Sequence, residues 1–153
     1  SAFFYLFNMF SGVTEGKKRK IVFPLVPEYV GYADQCVEKD VFVGIPASFE
    51  FFDDNTFKYH IDFEALEKHL EGHKEETAGL CVTRPQGIWY LSRWIKPIKV
   101  LTDDEIHHLS ELSKKYNVPL FIDNAYGLPW PDIIFTDEPV SLPTPEYYHH
   151  EFF

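Results

Sequence analysis

Val118-Pro119-Leu120-Phe121-Ile122-Asp123-Asn124-Ala125-Tyr126-Gly127 starts as a short apolar run and ends in an acid, an amide, a phenol and a glycine. The pattern predicts a buried strand whose C-terminal end opens into a polar loop. A carboxylate at the tip of a buried strand costs desolvation energy unless a cation or a hydrogen-bond donor meets it. In open α/β sheets, ligands sit just beyond the strand C-termini. Asp123 and Tyr126 are therefore the first candidates for chemistry. The same residues also suit a plain strand-to-loop turn in which Asp123 caps the local backbone.

Working outward, Thr102-Asp103-Asp104-Glu105 has capping-box spacing. It predicts a helix to about Tyr116, with Ile106, Leu109, Leu112 and Tyr116 facing inward and Asn117 ending it. Strands are expected at Ala78 to Thr83, Val41 to Ile45 and Lys20 to Leu25. Asp62 is placed to N-cap a helix reaching about Glu71, with Phe63, Leu66 and Leu70 on one face. Phe49 to His60 suits a hairpin or an irregular excursion, with the turn at Asp53-Asp54-Asn55. Glu28 to Lys39 is expected as a short helix, Ser11 to Arg19 as a polar loop, and Ser1 to Phe10 as a helix capped by Ser1. Strands alternating with helices predict an α/β fold: a three-layer α/β/α sandwich with a mostly parallel sheet. Residues 84–100 form an insert without clear periodicity. Residues 136–153 carry three prolines and are expected to be a divergent tail to a domain spanning residues 1–135.

The chain has 153 residues and a formal net charge of -10, a surface that repels nucleic-acid phosphates and anionic lipids. Neither nucleic acid nor membrane is an expected partner. The basic run Lys17-Lys18-Arg19-Lys20 is expected to be solvated. Cys36 and Cys81 lie in apolar segments, as buried reduced thiols of a cytoplasmic protein would. The histidines form no metal pattern, and no nucleophile elbow, phosphate loop or dinucleotide fingerprint is present. What remains is a set at strand ends: Tyr29 after the first strand, Arg84 after the third, and Asp123 with Tyr126 after the last. A flat aromatic cofactor suits such a set, because it wants a stacking ring, an anion at a ring nitrogen and a phenol at a ring oxygen. Core packing is the alternative for each residue taken singly.

Several blocks now carry a resemblance: Ser1-Ala2-Phe3-Phe4-Tyr5-Leu6-Phe7-Asn8, Phe23 to Asp34, Cys81-Val82-Thr83-Arg84-Pro85, Val100 to Glu105, and Asp123 to Gly127. In this order and spacing the chain resembles the class I/II, fold-type I pyridoxal-phosphate aminotransferases, and among them the valine–pyruvate branch. The likeness reaches about Phe135 and covers the middle of that family's large domain. The chain also opens in mid-pattern, so a piece of a longer protein is expected. The resemblance implies pyridoxal phosphate as cofactor, an amino acid such as valine or alanine and a 2-oxo acid such as pyruvate as substrates, and a homodimer in the full-length family. It implies that Asp123 pairs with the pyridine nitrogen, Tyr126 with the ring's phenolic oxygen, and that Tyr29 stacks on the ring face.

The sequence departs from the family in three places. Gln86-Gly87-Ile88-Trp89-Tyr90 stands where the family has an Asn-Pro-Thr-Gly turn. The Ser-x-Ser-Lys segment, whose lysine forms the Schiff base, is missing. So is the late arginine that grips the substrate carboxylate. Stand-alone catalysis is accordingly not expected. The alternatives are a non-catalytic truncated or frameshifted product, or an α/β ligand-binding module.

Overall fold

Residues 1–53, 56–83 and 101–123 are described by a computed structural model. The chain enters as helix α1, Ala2–Phe10, whose buried Phe7 anchors it. A short strand β1, Gly12–Thr14, turns back into the long strand β2, Lys17–Val26, apolar over its second half. After a single 3-10 turn at Val30–Tyr32 come β3, Phe42–Pro46, and a hairpin of β4, Ser48–Asp53, and β5, Thr56–His60. Helix α2, Phe63–His73, starts where Asp62 Oδ1 accepts from the Ala65 N–H at 2.9 Å. Strand β6, Thr77–Thr83, is buried at every position. Helix α3, Asp103–Tyr116, begins with the expected capping box and ends at Asn117 in the left-handed conformation. Strand β7 is Leu120–Asp123.

The main sheet pairs β3, β6 and β7 in parallel with their neighbours, while β1 lies antiparallel to the start of β2. Strand alternation sends side chains to two faces. Val22, Leu80, Val82 and Leu120 pack with Leu66 and Leu70 of α2 and Ile106, Leu109 and Leu112 of α3. Ile21, Phe23, Cys81 and Phe121 pack on the other face with Phe7 of α1 and Tyr32. A helical layer on each face of a mostly parallel sheet is the three-layer α/β/α sandwich expected from the sequence.

Three local expectations are corrected. Ser11 to Arg19 is not a loop: Gly12, Val13 and Thr14 pair with Arg19, Lys18 and Lys17. Glu15 and Gly16, both at positive φ, make the two-residue turn whose twist matches a hairpin. The basic run is therefore strand, and its lysines reach Glu75 and Asp40. Glu28 to Lys39 does not form a helix beyond the one 3-10 turn. Asn8 of α1 takes over its backbone instead, donating to the Gln35 carbonyl at 2.8 Å and accepting from the Val37 N–H at 2.9 Å. Finally, Cys81 is buried but Cys36 only half so, with its sulfur 3.8 Å from Ser11 Oγ. The insert at 84–100 and the tail at 136–153 lie outside the described residues.

Candidate functional site

Strands β6 and β7 run side by side to a common end, with Thr83 the register partner of Asp123. Beside them, β2 leads through Pro27 and Glu28 into the 3-10 turn, which carries Tyr32 back onto the sheet. Tyr32 is only 4% exposed. Its ring stacks on Phe23, with centroids 5.6 Å apart and 8° between planes, and takes the edge of Phe7 at 5.7 Å. This packing leaves the hydroxyl one place to go. It donates to Asp123 Oδ2 at 2.6 Å and lies 2.6 Å from Thr83 Oγ1. A phenol has one proton and an ionised carboxylate only accepts, so the Thr83 hydroxyl donates to the Tyr32 oxygen. The result is a directional chain: Thr83 to Tyr32 to Asp123.

Burial pushes the Tyr32 phenol far above its ordinary range, and the hydrogen bond to Asp123 adds to the rise. It therefore remains a donor throughout the neutral and mildly alkaline range. Cys81, beneath the same end of the sheet, is also pushed well up, first by burial and then by the charges of Glu28 and Asp123. A thiol held protonated in this way is no nucleophile.

Tyr29 stands at the rim, 61% exposed, its ring edge-on to Tyr32 with centroids 5.3 Å apart and 86° between planes. The ring lies over Gly31, where an added Cβ would sit 2.3 Å from Tyr29 Cε1. Only a glycine leaves room for the ring in this pose. The backbone N–H of Tyr29 donates to Glu28 Oε1 at 2.9 Å. Ser1 N-caps α1 without a side-chain cap bond; its hydroxyl donates to Gln35 Oε1 at 3.0 Å.

The fold thus brings Tyr29 and Asp123 to one end of the sheet and joins them through Tyr32. Tyr126 and Arg84 lie outside the described residues. The sequence reading missed Tyr32 and Thr83 as site residues. The three-residue step from Tyr29 to Tyr32 is the signal that could have found the first. Thr83 shows only through its pairing with β7. Among the described residues no cluster of three or more His, Cys, Asp or Glu is placed to hold a metal ion. No described helix is long and apolar enough to cross a membrane.

The mostly parallel sheet covered on both faces is a fold the chain shares with solved aminotransferases. The chain is similar to the valine–pyruvate aminotransferase of Escherichia coli K12, with 45% identity over 138 residues, which is 90% of this chain and 30% of that protein. Among solved structures, a putative amino-acid aminotransferase from Psychrobacter arcticum 273-4 superposes with a TM-score of 0.71 at 41% identity, covering 89% of this chain and 31% of the other. The valine-pyruvate aminotransferase of Salmonella typhimurium LT2 gives 0.67 at 41% identity, covering 99% and 32%. A PLP-bound putative aminotransferase from Clostridium difficile 630 shares the fold at 18% identity and a TM-score of 0.59. No family model matches the chain. By sequence and fold the chain is homologous to one segment of an aminotransferase, and it spans about a third of the length of these relatives.

Proposed function

We propose that this chain forms the ring-binding side of a pyridoxal-phosphate site in an enzyme that moves an amino group between valine or alanine and a 2-oxo acid such as pyruvate. The observation that carries this reading is the Asp123 carboxylate at the end of β7, hydrogen-bonded by Tyr32, whose ring meets the exposed ring of Tyr29. The residues fit the cofactor. Asp123 can hold a proton on the pyridine nitrogen, and Tyr29 can cover one face of the ring. Tyr126, by resemblance, bonds the ring's phenolic oxygen. Bound, the cofactor supplies an electron sink for the charge left when the amino acid loses its α-proton. Pairing with a cationic ring nitrogen would also offset the desolvation of Asp123.

The resemblance supports a homodimer and a role in amino-acid biosynthesis for the full-length enzyme; the formal net charge of -10 argues against nucleic-acid and anionic-membrane partners, and two cysteines in apolar segments fit a cytoplasmic location. The chain has no lysine in a Ser-x-Ser-Lys context, and so no evident base for the proton shift. We therefore expect binding without turnover. Pyridoxal phosphate should quench tryptophan fluorescence saturably in the isolated chain, and Asp123→Asn should weaken the binding by about tenfold or more, the scale of a lost charge-assisted hydrogen bond. With valine and pyruvate added, alanine should form no faster than with free cofactor. Faster formation would overturn the expectation of inactivity. Binding insensitive to Asp123→Asn would overturn the assignment of Asp123.

A further inference from the structure

The cofactor reading uses Asp123 and Tyr29 but leaves the residue between them without a task. Tyr32 could be mere core, because its ring is surrounded by Phe3, Phe7, Phe23 and Tyr29. Its hydroxyl has no part in that packing, which a phenylalanine ring would serve equally well. What the hydroxyl adds is polar and directional. It accepts a hydrogen bond from Thr83 and donates one to a single oxygen of one carboxylate. A short carboxylate side chain at a strand end can rotate about two bonds. A donor fixed by four aromatic contacts and a second hydroxyl removes that freedom.

Resting on the cofactor reading above, we propose that Tyr32 is a positioning residue for Asp123: its buried hydroxyl, backed by Thr83, holds the carboxylate in the orientation that meets a protonated pyridine nitrogen. Tyr32 touches neither substrate nor ring in this scheme. It acts by keeping Asp123 in place, so that binding does not have to order the carboxylate. The device works at any pH near neutrality, because burial and the carboxylate together keep the phenol protonated. Thr83 contributes by donating to the phenol oxygen, so that the Tyr32 proton is directed to Asp123.

The test uses the whole chain and pyridoxal phosphate labelled with ¹⁵N in the ring. Tyr32→Phe, Thr83→Val and Asp123→Asn are compared with the unaltered chain for cofactor affinity, for the ¹⁵N resonance of the bound ring and for thermal melting. Tyr32→Phe should weaken binding by about tenfold, as loss of a hydrogen bond to a charged group does. It should also move the ring-nitrogen resonance toward that of the neutral base. Thr83→Val should move both readouts in the same direction by less, and it decides the matter if Tyr32→Phe does not fold. If Asp123→Asn weakens binding while Tyr32→Phe and Thr83→Val change only the melting temperature, Tyr32 is structural and the proposal is overturned with the cofactor reading intact. If the unaltered chain does not bind, or Asp123→Asn has no effect, the cofactor reading itself falls and this proposal with it.

Discussion

Gly79 shows how closely β6 and β7 approach through their side chains. A Cβ there would lie 2.4 Å from Phe121 Cε2 and 3.1 Å from the Pro119 carbonyl. The Phe121 ring is wedged among buried neighbours and cannot retreat cheaply. Gly79→Ala should therefore destabilise the chain by about 1–3 kcal/mol through overpacking, although alanine is usually better than glycine in a strand. Urea unfolding measures this directly, and Phe121→Leu in the same chain should recover part of the loss. An unchanged midpoint would show that the strands can separate more than this packing suggests. Nothing in Ala78-Gly79-Leu80 announces such a contact, because the partner ring comes from a strand some forty residues later. The strand-end acid at Asp123 was legible because it interrupts an apolar run. Its partner Tyr32 was not, because a tyrosine among aromatics looks like ordinary core until its hydroxyl has an address.

The start of α3 is the element whose energetics are easiest to separate. Thr102 Oγ1 accepts from the Glu105 N–H at 3.1 Å, and Glu105 Oε2 accepts from the Thr102 N–H at 2.8 Å. The sequence predicts that much. The structure adds that Glu105 is buried and accepts a 3.1 Å bond from the Ile61 N–H. It also stands 3.1 Å from His60 Nδ1 and 3.8 Å from Lys58 Nζ, both on β5. One carboxylate therefore caps a helix and ties the β4–β5 hairpin to it. Thr102→Ala should cost about 1 kcal/mol, as loss of a cap does. Glu105→Ala should cost roughly 2–4 kcal/mol, because it also strands a buried N–H and a nearly buried lysine. Chemical denaturation of the two variants tests the ranking, and equal losses would mean that the tie to the hairpin contributes nothing. The helix expected at Glu28 to Lys39 fails for a tertiary reason. Asn8 diverts the backbone of the Gln35 to Val37 stretch from helix, and a side chain from α1 is invisible to any local pattern.

For the molecule as a whole, the buried acids of the core determine how stability depends on pH. Burial raises the Cys81 thiol well above its ordinary 9.0 and the Tyr32 phenol above its ordinary 10.0. A group whose folded value is raised is fully stabilising below its unfolded value and loses that contribution as pH rises. Stability should therefore hold through neutral pH and decline from about pH 9, where the unfolded thiol ionises first, and more steeply beyond pH 10. Each such group adds a slope of up to about 1.4 kcal/mol per pH unit. The acid side should be shallow. Asp40 is lowered by its hydrogen bond from Lys20 and then by the charges of Lys20 and Lys18, and Glu67 by its bond from Lys115. Their contributions are present above the ordinary carboxylate values and are lost as pH falls through the lowered ones. Both groups face solvent, where salt screens them. Unfolding free energies measured from pH 2 to 11 test this, and Cys81→Ala should remove most of the first part of the alkaline decline. A flat profile to pH 11 would sink the account.

The sequence by itself determined the layers. Apolar runs alternating with capped amphipathic helices leave few packings besides a parallel sheet covered on both faces. It also determined where a carboxylate would meet the solvent edge, because Asp123 ends an apolar run at a strand terminus. Only the tertiary structure decided what holds that carboxylate. Tyr32 reaches it across 91 positions of chain and Thr83 reaches Tyr32 across 51. Hydrogen bonds at such separation depend on strand register and ring packing, which no local pattern encodes. The same reason made a helix of Glu28 to Lys39 in the sequence and an irregular segment in the fold. Local propensity is worth tenths of a kcal/mol per residue, and a side chain from a neighbouring layer outweighs it.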